Sequence, residues 1–292
     1  MIPAEFDYVR ATSVEQAIDF LRTGGGETRL LAGGHSLIPL MKLRLARPKR
    51  LVDIRGIARL DTIERNNGTL SIGPNVTHHT LSSSTIVRQL APLLGEAAAH
   101  IGDVQVRNAG TLGGSLAHAD PGADPPAAAL ALGAVLQVRG PAGTRAIAAQ
   151  DFFLGVLTTA LAPDEMLVRV DIPVPSGRIG SAYFKFDNPA SHYALVGVAA
   201  WFQLGADGTI ASARVGVTGV APSPFRAVQT EAALLGQLPT GPIVAAAAAH
   251  VVDGHADEIN GDLHASSEYR AHVAQVLTRR ALETARARAD AA

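Results

Sequence analysis

The stretches Ala32-Gly33-Gly34-His35-Ser36 and Thr111-Leu112-Gly113-Gly114-Ser115 share one pattern, a glycine pair beside serine or threonine. The first follows the apolar run Leu30-Leu31, which is typical of a buried strand, and precedes a helical turn. Glycine permits positive φ and close approach of the backbone to a ligand, and successive N–H groups at a helix start bind anions without a lysine. Either stretch alone is more often just a tight turn. Their pairing predicts a cradle for the diphosphate of a nucleotide cofactor.

Neither stretch matches the better-known phosphate loops. A nicotinamide-type G-x-G-x-x-G is absent, and a P-loop also requires Gly-Lys-Ser/Thr. Gly34-His35-Ser36-Leu37-Ile38 and Gly113-Gly114-Ser115-Leu116-Ala117 partly match the nucleophile elbow G-x-S-x-G, but each lacks the final glycine. A hydrolase is therefore an alternative enzymatic interpretation of the same residues.

The composition favours a folded protein without metal or nucleic-acid chemistry of its own. Of 292 residues, 47% are apolar and 17% charged, and 25 Lys+Arg against 26 Asp+Glu give a net charge of −1. The absence of cysteine excludes disulfides, iron–sulfur ligation by this chain and a catalytic thiol. His118, Asp120 and Asp124 lack a third imidazole or thiolate, and His78-His79, read as part of a strand, would point apart, so no metal site is predicted.

Targeting signals and membrane segments are not predicted. The N-terminal MIPAEFDYVR has no basic region followed by an apolar one, and the run Ile243 to Ala249 is far shorter than a membrane span. We therefore expect a soluble cytoplasmic protein with no integral membrane segment and no nucleic-acid partner.

The pattern of apolar residues predicts an α+β chain. A capping box at Ser13-Val14-Glu15-Gln16 opens a helix, and the first fifty-odd residues form a β-α-β-like unit. Asn66-Asn67-Gly68 predicts a hairpin. Further elements are expected at the following positions: helices Ser83 to Gln89, Leu93 to His100 and Pro126 to Leu132, and strands Ala134 to Val138 and Leu167 to Ile172.

After the linker-like Pro173-Val174-Pro175-Ser176-Gly177 the pattern changes from mixed elements to strands followed by helices. The strands are predicted at Ala182 to Phe186, Ala194 to Leu204 and Ala213 to Val220. The helices are predicted at Ala227 to Leu235, Ile243 to Val252 and Glu268 to Arg288. We expect a C-terminal three-stranded sheet with helices on one face.

Four motifs in this order resemble one known family: Ala32-Gly33-Gly34-His35-Ser36-Leu37, Met41-Lys42-Leu43-Arg44, Gln105 to Leu116, and Ala119-Asp120-Pro121-Gly122-Ala123-Asp124. The chain resembles, over essentially its whole length, the medium, FAD-binding subunit of the molybdenum hydroxylases, which include xanthine dehydrogenase and aerobic carbon monoxide dehydrogenase. The resemblance implies a two-part FAD-binding domain of the vanillyl-alcohol-oxidase (PCMH) type at 1–176, with subdomains at about 1–56 and 57–176. A C-terminal domain of the carbon monoxide dehydrogenase flavoprotein type would occupy 177–292.

The resemblance also implies which residues hold FAD. Asp124 would hydrogen-bond ribityl or phosphate-side hydroxyls, Lys185 would lie near the polar edge of the isoalloxazine, and Tyr193 would cover the ring. No residue is assigned to catalysis on the hydroxylated substrate. The complete set of implied contacts is Ala32, Gly33, Gly34, His35, Ser36, Leu37, Ile101, Thr111, Gly113, Gly114, Ser115, Asp124, Leu167, Lys185 and Tyr193.

Simpler interpretations exist for three of these residues. Lys185 could be a surface lysine on an edge strand, and Tyr193 could be a core aromatic residue at the start of a strand. Asp124 fits the N-cap of a helix opening at Pro125-Pro126, a role that leaves one carboxylate oxygen free.

The family function implied is electron transfer within a heterotrimer. Substrate would be oxidised at a molybdenum–pterin centre in a large partner, and electrons would pass through two-iron two-sulfur clusters in a small partner to FAD and then to NAD, oxygen, a quinone or a carrier. Two alternatives are a self-contained flavin-dependent alcohol oxidase or dehydrogenase and a scaffold subunit that has lost flavin.

Overall fold

The computed structural model describes residues 2–291, which form mixed helices and strands. The strands are β1 (Asp7–Arg10), β2 (Thr28–Leu31), β3 (Arg50–Asp53), β4 (Ile63–Asn66), β5 (Thr69–Ile72), β6 (Val135–Gly140), β7 (Gly143–Ala148), β8 (Phe153–Gly155), β9 (Thr158–Thr159), β10 (Met166–Pro173), β11 (Arg178–Asp187), β12 (Ala194–Leu204), β13 (Ile210–Thr218) and β14 (Phe225–Arg226). The helices are α1 (Val14–Thr23), α2 (Leu37–Lys42), α3 (His78–Ser83), α4 (Thr85–Leu90), α5 (Pro92–Ala99), α6 (Val104–Ala109), α7 (Leu112–His118), α8 (Asp124–Leu132), α9 (Val228–Leu234), α10 (Gly241–Ala248) and α11 (Ser267–Ala291).

The N-terminal part is a small parallel sheet with the order β1-β3-β2. Strands β2 and β3 with the intervening α2 make the predicted β-α-β unit. Ser13 caps α1 by accepting a hydrogen bond from the N–H of Gln16 at 3.1 Å, as the capping box predicts. Strand β1 was missed because its four residues are mostly exposed and show no apolar alternation.

The middle part is a five-stranded antiparallel sheet with the order β4-β5-β10-β6-β7. The predicted hairpin is present between β4 and β5, where Asn67 and Gly68 both have positive φ, 44° and 78°. Helices pack on this sheet through a shared core that includes Leu70, Leu93 and Leu136. The predicted strand near Ala134 pairs with β7, a strand that sequence analysis did not find.

The C-terminal sheet has four antiparallel strands, in the order β11-β12-β13-β14, and the expectation of three strands is therefore wrong. The extra strand consists only of Phe225 and Arg226 and follows Pro222-Ser223-Pro224, so it carries no periodic signal. The three long strands and three helices that were predicted are present; β12 has the predicted ends, and the ends of the other five are shifted.

Strand β12 is buried on both faces: the C-terminal helices cover one face, as expected, and the middle part covers the other. Its residues Val198, Ala200 and Phe202 belong to the core formed with the C-terminal helix α11. Ala199 and Trp201, which point the opposite way, join the core of the middle part. This two-sided burial explains why the strand reads as an unbroken apolar run.

Helix α8 lies directly on the second face of that sheet. A Cβ added to Gly216 of β13 would overlap the backbone of Ala127 in α8, so only glycine permits this approach. The Thr218 hydroxyl donates to the carbonyl oxygens of Pro121 and Ala123, at 2.7 and 2.9 Å. These contacts fix the start of α8, and hence Asp124, against β13.

Residues 2–291 were compared with two requirements, those of a membrane-spanning helix and of a metal site, and meet neither. No helix there is long and apolar enough to cross a membrane, and no group of three or more His, Cys, Asp or Glu side chains could hold a metal ion.

Candidate cofactor site

A cleft of about 780 Å³ runs between the N-terminal sheet, the helices of the middle part and the loop before β12. Its volume lies within the range typical of cofactor sites. Every predicted contact residue except Lys185 lines this cleft. The fold therefore brings together side chains that are more than 150 positions apart in the sequence.

The first glycine turn presents unpaired backbone donors to the cleft. The turn follows β2, and Gly34 has φ +73°, a backbone conformation that residues other than glycine rarely adopt. Among the described residues, the N–H groups of Gly33 to Leu37 have no hydrogen-bond acceptor. His35 points its Nδ1 back to the carbonyl oxygen of Gly33 at 2.8 Å. This turn is therefore a nest of donors available to an anion.

The second glycine turn is different, because the N–H groups of Leu112 to Ser115 already have acceptors. Gly113 donates to the carbonyl oxygen of Pro74 at 2.9 Å, and Gly114 donates to the Thr111 hydroxyl at 3.1 Å. The Ser115 N–H donates to the carbonyl oxygen of Thr111 at 3.0 Å. The second turn therefore presents two glycines without side chains and the hydroxyls of Thr111 and Ser115 to the cleft. The expectation that it repeats the donor nest of the first turn is wrong.

The two turns are in direct contact. A Cβ on Gly33 would lie 2.7 Å from the Cα of Gly110 and closer still to the carbonyl oxygen of Ala109. Since these are backbone atoms of the segment that leads into the second turn, they cannot rotate away. Gly33 is thus the position at which the two turns are held together.

Asp124 is held deep at the wall of the cleft by two side chains of β11. Its carboxylate accepts hydrogen bonds from the Tyr183 hydroxyl at 2.6 Å and from Lys185 Nζ at 2.9 Å. The residue is the first of α8, whose N-cap is Ala123 without a side-chain bond, so the capping interpretation is wrong. Burial raises the pKa of Asp124, and the Lys185 charge opposes that rise. Burial and the Asp124 charge raise the pKa of Tyr183.

Lys185 lies behind Asp124 rather than on the cleft surface. Its side chain is only 2% exposed and also donates to the carbonyl oxygen of His100 at 3.1 Å. The interpretation as a surface lysine is therefore wrong. Lys185 does not line the cleft itself, whereas its partner Asp124 does.

Tyr193 lies at the cleft wall and is 45% exposed, so it is not a core aromatic. Burial, together with the charges of Asp120 and Asp124, raises its pKa. Leu167 on β10 is buried and forms part of the apolar wall, as does the half-buried Ile101. An exposed aromatic beside a lined cleft is available to pack against a flat ring.

The segment Pro74 to His78, which was not predicted to belong to the site, runs along the second turn. Pro74, Asn75 and His78 all line the cleft, and Thr77 forms an isolated bridge with Thr111. The reading of His78-His79 as part of a strand is wrong, because Thr77 caps α3 by accepting from the N–H of Thr80 at 3.1 Å. That capping threonine was the signal available in the sequence.

The carboxylates along the cleft are all engaged. Asp103 caps α6, and Asp120 accepts from the N–H of Gly122 at 2.8 Å. Glu165 is bound by Arg145 at 2.7 Å, and Asp124 is bound as described above. Each carboxylate of the cleft wall therefore already accepts at least one hydrogen bond within the chain.

Two family models together match most of the chain. The model described as the FAD binding domain in molybdopterin dehydrogenase matches residues 4–175. The model described as the CO dehydrogenase flavoprotein C-terminal domain matches residues 181–285. The cofactor of this family is FAD, which fits the cleft and its donor nest.

Individual relatives match over nearly their full length. The carbon monoxide dehydrogenase medium chain of Afipia carboxidovorans is 39% identical over 291 residues, 99% of each chain. The glyceraldehyde dehydrogenase medium chain of Sulfolobus acidocaldarius is 37% identical, covering 97% of this chain and 99% of that one. The structure of carbon monoxide dehydrogenase from Hydrogenophaga pseudoflava aligns with a TM-score of 0.93 and 41% identity over 99% of both chains. The chain therefore belongs to the FAD-binding medium subunits of the molybdenum hydroxylases, a family of oxidoreductase subunits.

Proposed function

We propose that the cleft binds FAD with its diphosphate on the first glycine turn. The observation that carries this proposal is the row of unpaired N–H groups from Gly33 to Leu37 beside a cleft of sufficient volume. The second turn, pressed against the first at Gly33, closes the other side with Thr111, Gly114 and Ser115.

Asp124 and Lys185 act as a unit towards the cofactor in this proposal. Each carboxylate oxygen of Asp124 accepts one hydrogen bond, so each keeps a lone pair for a cofactor hydroxyl. Lys185 holds the carboxylate in place and supplies a positive charge one residue behind the cleft wall. Tyr193, at the mouth, covers the flat ring.

The proposed role of the chain is to position FAD for electron transfer inside a larger complex. Bound FAD supplies reversible redox chemistry between one- and two-electron carriers. A large molybdenum–pterin subunit and a small two-iron two-sulfur subunit are the proposed partners, and the heterotrimer passes electrons to NAD, oxygen, a quinone or a carrier. The absence of cysteine supports this division, because another chain must ligate the clusters.

Domain limits and location also belong to this proposal. The division into 1–176 and 177–292, with subdomains at about 1–56 and 57–176, is supported by the separate sheets. Strand β11 begins at Arg178, directly after the proposed boundary. The complex is proposed to act in the cytoplasm.

Reduction of the flavin in the isolated chain and in the assembled complex tests the role. The FAD-loaded chain is mixed anaerobically with alcohols, aldehydes and N-heterocycles, and flavin absorbance is followed before and after the two partner chains are added. Reduction only in the assembled complex supports the proposal. Reduction of the flavin by an alcohol in the isolated chain refutes it in favour of a self-contained oxidase.

A further inference from the structure

His78 is the one imidazole of the cleft wall that is buried almost completely. It is 3% exposed and lines the cleft, whereas its neighbour His79 is exposed. Its backbone N–H donates to the carbonyl oxygen of Gly110 at 3.0 Å, which fixes the residue beside the second glycine turn. A buried polar ring in such a place requires a hydrogen-bond partner.

The surroundings of the ring determine which nitrogen carries the proton. Nδ1 is buried and has no hydrogen-bond partner. Burial, together with the nearby His35, lowers the pKa of His78 to about 4, so the ring is neutral at pH 7. A proton on Nδ1 would be a donor buried without an acceptor, a rare and costly arrangement. The remaining tautomer carries its hydrogen on Nε2, the nitrogen that is not cut off from the cleft.

The position of Nε2 is next to both glycine turns. It lies 3.3 Å from the place that a Cβ on Gly110 would occupy, and Gly110 is also the residue against which Gly33 packs. The only Lys or Arg among the described residues of the cleft wall is Arg29, whose guanidinium donates to the carbonyl oxygens of Gly26 and Thr28. A diphosphate held here therefore depends on neutral donors.

We propose that His78 donates its Nε2 hydrogen to a phosphate oxygen of the bound FAD, as a further binding residue outside the two glycine turns. This inference rests on the proposed function, because it assumes that FAD occupies the cleft. A neutral imidazole suits the task, since it adds a donor to the nest without a second buried charge.

Variants at two adjacent histidines separate binding from packing. His78→Leu removes the donor, His78→Gln keeps an N–H near the position of Nε2, and His79→Leu is the matched control. Titration of each apo chain with FAD, followed by flavin fluorescence, gives Kd. His78→Leu is expected to raise Kd about ten-fold or more, because the lost hydrogen bond reaches a charged acceptor. His78→Gln and His79→Leu are expected to stay within about three-fold of the wild type.

The thermal midpoint of the apo chain separates a binding loss from unfolding. His78→Leu is expected to keep or raise the midpoint, because leucine removes the unpaired Nδ1 from the interior. Stability and affinity should thus move in different directions. Should the leucine variant not fold, His78→Asn takes its place, because its shorter side chain has no donor at the position of Nε2. Changed ³¹P shifts of FAD bound to His78→Asn support the contact, and wild-type shifts overturn it.

Two outcomes overturn the proposal, and they are distinguishable from failure of the proposed function. A His78→Leu variant with wild-type Kd and unchanged ³¹P shifts of the bound diphosphate excludes the contact. An equal loss of affinity in His78→Gln and His78→Leu assigns the effect to packing instead. If the wild-type apo chain itself binds no FAD, the proposed function fails and His78 has no such partner.

Discussion

Substitution of Gly33 by alanine tests the contact between the two glycine turns. The added Cβ would lie 2.7 Å from Gly110 Cα, whereas ordinary contacts of a Cβ begin at 3.4 Å, so at least about 0.7 Å of backbone movement is required. Forced overlaps in packed regions cost about 1–3 kcal/mol. If the strain is released by separating the turns, FAD affinity falls roughly 5- to 150-fold.

The assay is the Kd for FAD, measured by flavin fluorescence on Gly33→Ala and on a matched glycine variant. Gly241→Ala is the control, because a Cβ there meets no atom within 4 Å and the residue opens α10, far from the cleft. Circular dichroism of both variants checks that the chains are folded. Wild-type affinity in folded Gly33→Ala would refute the argument that this glycine holds the turns in their binding geometry.

Two further predictions concern buried charge. Lys185→Met is expected to lower the unfolding free energy by about 3 kcal/mol in urea titrations, because it leaves the buried Asp124 carboxylate without its cation. Adding Asp124→Asn should restore part of that loss. A decrease below about 0.5 kcal/mol would contradict the buried pair. The pKa of His78, lowered to about 4 from 6.5, means that the unfolded chain takes up a proton before the native one, so stability falls between pH 6.5 and 4, by up to about 3 kcal/mol. Urea titrations of wild type and His78→Leu should diverge over this pH range, and parallel curves would show that the ring is not buried in its neutral form.

The sequence predicted the glycine turns and the long elements because their signals are local. The Asn67-Gly68 hairpin and the Ser13 cap follow from short-range turn and capping chemistry. The apolar run of β12 was recognised as a strand, but a run of this kind does not say which partner covers each face. The core shared with the middle part therefore appeared only in the fold.

The cleft residues that were missed depend on tertiary contacts. His78 became a wall residue because its segment pairs along the second turn, more than 30 positions later in the chain. The difference between the turns was equally invisible, since the acceptor for the Gly113 N–H is the carbonyl oxygen of Pro74. Lys185 was assigned to the site by resemblance to a family. A resemblance identifies the residue, but it does not show that the Lys185 side chain contacts the Asp124 carboxylate.

The flavin content of the purified wild-type chain tests the central claim most directly. Protein expressed with its partner chains is denatured, and the released flavin is identified by mass and quantified against protein. We expect one FAD per chain, with Gly33→Ala depleted and Gly241→Ala at the wild-type ratio. Protein without flavin, or FMN in place of FAD, would contradict the assignment of this cleft to a dinucleotide.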